Sequence, residues 1–275
     1  MSYSLTGFEG KVALVTGAGR MRSIGRPAAV ELAKAGCHVV LTGTGRDPSR
    51  YPDDEQEAGW RDIESVADEV RAHGVEAMTA VSDVSDEGAV ADLGEQIMAR
   101  FGRIDIVINN AGAARGEDRV PVVELDPDLW RNILNVNLTG AFLVSQAMAR
   151  HMMAAGRGGS IVNISSIAGK RLGPNTAAYS ASKAGMHALT ACMAQEVAKD
   201  NIRVNAICPG VIDTSRMDDL GRGEVWDTFV RDFIPLGRAG SGNDIAATIV
   251  YLCSDEGSWV TGQAWNVDGG TVVQH

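Results

Sequence analysis

Tyr179 and Lys183 stand four residues apart in Tyr-Ser-Ala-Ser-Lys, and Ser166 lies thirteen residues upstream of the tyrosine. On a helix, positions i and i+4 share one face, so the phenol and the ammonium project together. A free phenol, with a pKa of about 10, is a poor proton donor or acceptor near neutrality unless a nearby positive charge stabilises the phenolate. Lowering that pKa by about three units takes about 4 kcal/mol of differential interaction, which a close lysine and a second bound cation supply together. The pattern describes a tuned acid, with Ser166 placed to hold the reacting oxygen. Tyr-x-x-x-Lys also arises by chance on surface helices, so its context decides.

The elements that must position this trio alternate short β-branched runs with longer helical stretches, as in a parallel sheet covered on both faces. Strands are predicted over Val12 to Thr16, His38 to Thr42, Glu76 to Val81, Ile104 to Ile108, Ser160 to Ile164, Ile202 to Ile207 and Ala264 to Val267. Helices are predicted to begin near Ile24, Trp60, Asp86, Asp128, Ala178 and Asn243. The expectation is an α/β fold: a Rossmann-like, doubly wound sheet of about seven parallel strands in one domain spanning 1–275. Two segments break the rhythm. Gly43 to Gly59 is a polar loop longer than usual between a strand and its helix. Thr214 to Pro235 carries Met217, Trp226, Phe229 and Phe233 and reads as a lid over an apolar substrate, with core or subunit packing as the alternative.

With 275 residues and a formal charge of −10, the chain can bury a large core and is a poor partner for nucleic acid. No run is long and apolar enough to span a bilayer, and the opening residues lack a signal-peptide layout, so a soluble, cytoplasmic protein is expected. Cys37, Cys192, Cys208 and Cys253 are scattered through apolar or helical surroundings, which predicts buried free thiols and no metal site.

The first strand runs into Thr16-Gly17-Ala18-Gly19-Arg20-Met21-Arg22-Ser23-Ile24-Gly25. Glycines let such a turn approach a pyrophosphate at the helix N-terminus, making Gly17, Gly19, Arg20, Arg22, Ser23 and Ile24 candidate contacts. The spacing is unusual, because five residues separate Gly19 from Gly25 where the dinucleotide fingerprint has two. Asp83-Val84 and Asn109-Asn110-Ala111-Gly112 close strands three and four, at the carboxyl edge where such sheets bind ligands. For Asn109 and Asn110, a tie between loops and a cofactor contact are equally open. The tip of strand two, Thr42-Gly43-Thr44-Gly45-Arg46, carries no acid. Arg46, Arg20 and Arg22 read as a clamp for a 2′-phosphate, with Thr44 as a neutral donor, which favours NADP(H) over NAD(H).

These motifs, with Asn135-Val136-Asn137, Ser165-Ser166, Pro209-Gly210 and Val267-Asp268-Gly269-Gly270, resemble the short-chain dehydrogenase/reductase family over essentially the whole chain. The resemblance implies hydride transfer between a nicotinamide cofactor and a small carbonyl or alcohol substrate. It implies that Tyr179 transfers the proton, Ser166 positions the reacting oxygen, and Lys183 binds the nicotinamide ribose while depressing the tyrosine pKa. Asn137 resembles the member that holds a relay water. Ala111, Gly112, Pro209, Gly210, Ile212 and Thr214 fall among the cofactor contacts, Thr214 at the nicotinamide carboxamide. The glycine loop is spaced like the enoyl-acyl-carrier-protein reductase branch, which argues for C=C reduction, but that branch separates its Tyr and Lys by six residues and this chain by three. Competing readings are a silent dinucleotide-binding subunit and a sugar-nucleotide epimerase; the first has no use for a tuned phenol, and the second needs another domain. Helices Asp128 to Ala155 and Ala178 to Lys199 are apolar on more than one face, and in the resembling family they form subunit contacts, so a homodimer or homotetramer is expected.

Overall fold

The apolar runs pair side by side into one parallel sheet. In a computed structural model that describes residues 4–273, the strands are β1 Val12–Val15, β2 His38–Gly43, β3 Ala77–Val81, β4 Ile106–Asn109, β5 Gly159–Ile164, β6 Ile202–Pro209 and β7 Ala264–Val267. Their spatial order is β3-β2-β1-β4-β5-β6-β7, every pair parallel. This is the doubly wound sheet of seven strands that the sequence predicts. The order reverses between β1 and β4, and the crevice at such a switch point is where open α/β sheets receive ligands.

Alternation along the strands divides the core. Ala13, Val15, Leu41 and Ile108 face one side, packed by α1 Gly25–Lys34, α3 Ile63–Arg71 and α9 Gly242–Cys253. Leu14, Val40, Val107 and Ile161 face the other, packed by α4 Glu87–Phe101, α6 Gly140–Ala155 and α7 Ala177–Val197. Local signals fix the helix starts. Asp86 accepts a hydrogen bond from the Ala89 N–H at 2.8 Å, and Ser241 with Asp244 forms a capping box ahead of α9. Between the layers, Asn109 Nδ2 donates to Ser145 Oγ at 2.7 Å and to Asn163 Oδ1 at 2.8 Å. Asn163 in turn donates to Thr190 Oγ1 at 2.8 Å. This buried chain locks β4 and β5 to α6 and α7, and losing one partner costs about 1–3 kcal/mol.

Three expectations need correction. The loop from Gly43 to Gly59 holds a short helix, α2 Asp53–Glu57, and the helix expected near Trp60 begins at Ile63. The long helix from Asp128 is α5 Pro127–Leu134 followed by a π turn over Asn135–Thr139 and then α6. Over 214–235 no expectation changes: Trp226, Val230 and Ile234 on and beside α8 Glu224–Phe233 form a small core of their own with Met217, Phe229 and Phe233. Cys37, Cys208 and Cys253 are buried free thiols, but Cys192 is exposed.

Candidate active site

The glycine turn is held from both neighbouring strands. Asn110 donates its backbone N–H to Thr16 Oγ1 at 3.0 Å, and its side-chain amide to the Thr16 and Gly17 carbonyls at 2.8 and 2.9 Å. Gly17 has φ +64°, and a Cβ there would stand 2.8 Å from Ala111 Cα, so the turn closes only on glycine. Both asparagines act as structural ties, and the backbone of Gly17 to Gly19 follows β1 at the switch point of the sheet.

The extended glycine loop and the segment after β2 interlock. The Met21 N–H donates to Glu55 Oε1 at 2.8 Å, Trp60 Nε1 donates to the Gly19 carbonyl at 2.6 Å, and Arg26 lies over the Trp60 ring. Asp62 brings its carboxylate between the turn and the end of β2: a Cβ on Gly19 would meet Asp62 Oδ1 at 1.5 Å, and one on Gly43 would meet Oδ2 at 3.4 Å. Two arginines of the expected clamp are paired within the chain. Arg46 donates to Glu55 at 2.9 Å and to Asp62 at 3.0 Å. Arg22 pairs with Asp54 at 2.7 Å and with Asp218 at 2.5 Å, so both cations are already neutralised. Burial opposes the charge on Arg46, but its hydrogen bonds to Asp62 and Glu55 outweigh it and leave its pKa raised. Arg20 is exposed and makes no ion pair among the described residues. Thr44 is exposed as well.

Further along the same edge, α7 carries Tyr179 and Lys183, and Ser166 follows the end of β5. Lys183 is buried and donates Nζ to the Ile164 carbonyl at 2.8 Å, 5.8 Å from the centre of the Tyr179 ring. Burial first, and Arg216 second, pull the lysine pKa down to about 7. Ser166 caps the turn Ile167–Gly169, its Oγ accepting from the Ala168 N–H at 3.1 Å. Asn137 sits in the π turn, a feature common at functional sites. Its Oδ1 accepts from the Ala113 N–H at 2.8 Å, and its Nδ2 donates to Ser182 Oγ at 3.0 Å. Ser182 donates onward to the Tyr179 carbonyl at 2.7 Å. Asn137 therefore ties the loop after β4 to the helix that carries Tyr179.

The remaining predicted contacts line the same carboxyl edge. Val84 is buried after β3, while Asp83 is exposed and accepts from the Ser85 N–H at 2.9 Å. Pro209 ends β6, Gly210 backs onto Asp268, and Ile212 pairs with Gly240. Buried Thr214 precedes Ser215, whose N–H reaches the Arg22 carbonyl at 3.0 Å, so the glycine loop abuts the start of 214–235.

Sequence reasoning missed four residues here. Asp62 enters from beyond the insertion, and Arg115, Arg119 and Arg216 gather near Tyr179. The guanidinium carbons of Arg119 and Arg216 lie 4.8 and 5.2 Å from the centre of the Tyr179 ring. Their signal was present: two arginines just past Asn-Asn-Ala-Gly and one just past Thr214, in a chain of net negative charge.

The comparisons with known proteins agree with this geometry. A family profile described as enoyl-(acyl carrier protein) reductase matches residues 17–272. The chain is 36% identical over 276 residues to 2-dehydro-3-deoxy-D-gluconate 5-dehydrogenase of Escherichia coli strain K12, covering 100% of both. It is 39% identical to the 3-oxoacyl-[acyl-carrier-protein] reductase FabG of Aquifex aeolicus, over 95% of this chain and 97% of the relative. Carveol dehydrogenase of Mycobacterium avium, solved in complex with NAD, superimposes with a TM-score of 0.87 at 28% identity, over 98% of this chain and 100% of the other. The chain belongs to the short-chain dehydrogenase/reductase family. It is a nicotinamide-dependent oxidoreductase acting on CH–OH and C=O groups.

Proposed function

We propose that the protein interconverts a secondary alcohol and a ketone with Tyr179 as the proton donor and acceptor; the observation that carries this is Tyr179 and buried Lys183 on one face of α7, at the sheet edge that holds the glycine turn. When bound, the nicotinamide supplies or takes the hydride at its C4. In reduction, Tyr179 gives its proton to the carbonyl oxygen as the carbon accepts the hydride, and Ser166 hydrogen-bonds that oxygen. In oxidation the alcohol proton returns to Tyr179. Lys183 holds the nicotinamide ribose and, through water at the Asn137 turn, reloads the tyrosine.

Gly17 to Ile24 would hold the pyrophosphate, Val84 and the tip of β2 the adenine end, and Ala111, Gly112, Pro209, Gly210, Ile212 and Thr214 the carboxamide end. The pairing of Arg46 and Arg22, and the Asp62 carboxylate beside β2, turn the cofactor preference toward NAD(H): an acid there accepts ribose hydroxyls and repels a 2′-phosphate. Residues 214–235 close over the substrate, and the chain assembles as a homo-oligomer through α6 and α7. A Tyr179→Phe variant is expected to bind cofactor normally while losing about 100- to 10,000-fold in turnover on a ketone and alcohol panel. Full turnover in that variant would remove Tyr179 from the proton step.

A further inference from the structure

Three guanidinium groups surround the catalytic tyrosine of an acidic protein. Arg119 and Arg216 lie against the Tyr179 ring, and Arg115 pairs with Asp219 at the mouth. Arg216 also donates to the Ala113 carbonyl at 2.5 Å, which fixes it across the loop after β4. Arg119 is the least satisfied of the three. Its side chain is 20% exposed, its nearest carboxylate oxygen is on Asp118 at 3.5 Å, and its Nε is buried without a hydrogen-bond partner among the described residues. Asp118, itself buried, also accepts from the Gly116 N–H at 3.2 Å. Two carboxylates thus stand against three arginines and Lys183. Burial pulls the pKa of Arg119 and of Arg115 down, the sign of cations held where water solvates them poorly.

A desolvated, under-paired cation is costly, and a buried guanidinium is strongly destabilising when its partner is missing. At a reaction centre such a cost marks a ligand-binding role. The planar fork of arginine matches carboxylate and phosphate oxygens. We propose that the substrate is a small oxyanion-bearing hydroxy or keto compound whose carboxylate or phosphate is held by Arg119, with Arg216 and Arg115 supplying the surrounding positive field. Since Arg119 touches the Tyr179 ring, the anionic group lies within a few bonds of the carbon that exchanges hydride. The inference rests on the hydride-transfer reading of this same site.

The test uses the whole protein loaded with its preferred nicotinamide. Short secondary hydroxy acids are assayed beside their methyl esters, and hydroxyketone phosphates beside the free hydroxyketones, which separates carboxylate from phosphate. One of the charged forms should exceed its neutral match by about 10- to 100-fold in kcat/KM, the range for a hydrogen bond to a charged group. Arg119→Met should raise KM for the charged compound far more than for its neutral match and so erase that preference, and Arg119→Lys should restore part of it. Calorimetry with malonate against malonamide reads the anion site without turnover. Malonate binding that depends on Arg119, with no turnover of any compound, would keep the anion site and sink the dehydrogenase roles. Equal kcat/KM for charged and neutral forms in the unaltered protein would overturn the inference, whatever the variants do. So would weaker cofactor affinity in Arg119→Met, which would place this arginine on the cofactor phosphates.

Discussion

Asp62 shows what one residue is made to do. Its backbone stands at φ +51° and ψ −131°, a region that suits glycine and costs an aspartate about 1–3 kcal/mol. Two charge-assisted hydrogen bonds from Arg46, to Asp62 and Glu55, offset that strain. If the carboxylate receives the adenosine ribose, Asp62→Asn should weaken NADH by about 10- to 100-fold and narrow the gap to NADPH, measured by separate titrations. An unchanged NADH to NADPH ratio would remove Asp62 from cofactor choice. Tyr179, Lys183 and Ser166 were legible in the sequence because a helix makes i and i+4 neighbours and a strand end makes a nearby serine one. Asp62 was not, since its place depends on how the chain after β2 returns to Gly19. The three arginines at Tyr179 were hidden for the same reason: they come from two loops far apart in sequence, and only the sheet order brings them together.

At the scale of elements, Arg22 is a clasp. It joins the extended glycine loop to α2 through Asp54 and to the start of the lid through Asp218, which Arg222 also grips at 2.7 Å. These side chains are 35–40% exposed, so each pair contributes only about 0–1 kcal/mol and is screened over a Debye length of about 8 Å at physiological salt. Weak separately, they link two segments that share no strand. Arg22→Ala, or added salt, should therefore speed hydrogen exchange at 53–57 and 215–220 together while β1 stays protected. Acceleration of one segment alone would deny the linkage. The seven strands could be read from their short β-branched runs, but α2 could not, because five polar residues show no periodicity and take their order from Glu55 and Asp54 reaching the glycine loop.

Across the whole molecule, the reversal of strand order between β1 and β4 gathers every motif on one edge and leaves the helical faces for other work. Phe142 and Met153 on α6 are each 40% exposed, and Trp259 is 98% exposed. Such surface fits subunit contact, and light scattering at micromolar concentration should give at least a dimer; a monomer would end that expectation. The negative charge of the rest of the surface slows small anions at long range, so the arginines at Tyr179 act only once a substrate has entered. The indole of Trp60, hydrogen-bonded to the glycine turn and stacked under Arg26, gives the protein a built-in optical gauge. Its fluorescence should change as the dinucleotide arrives, so occupancy can be followed in real time without a label, with a Trp60→Phe protein as the blank.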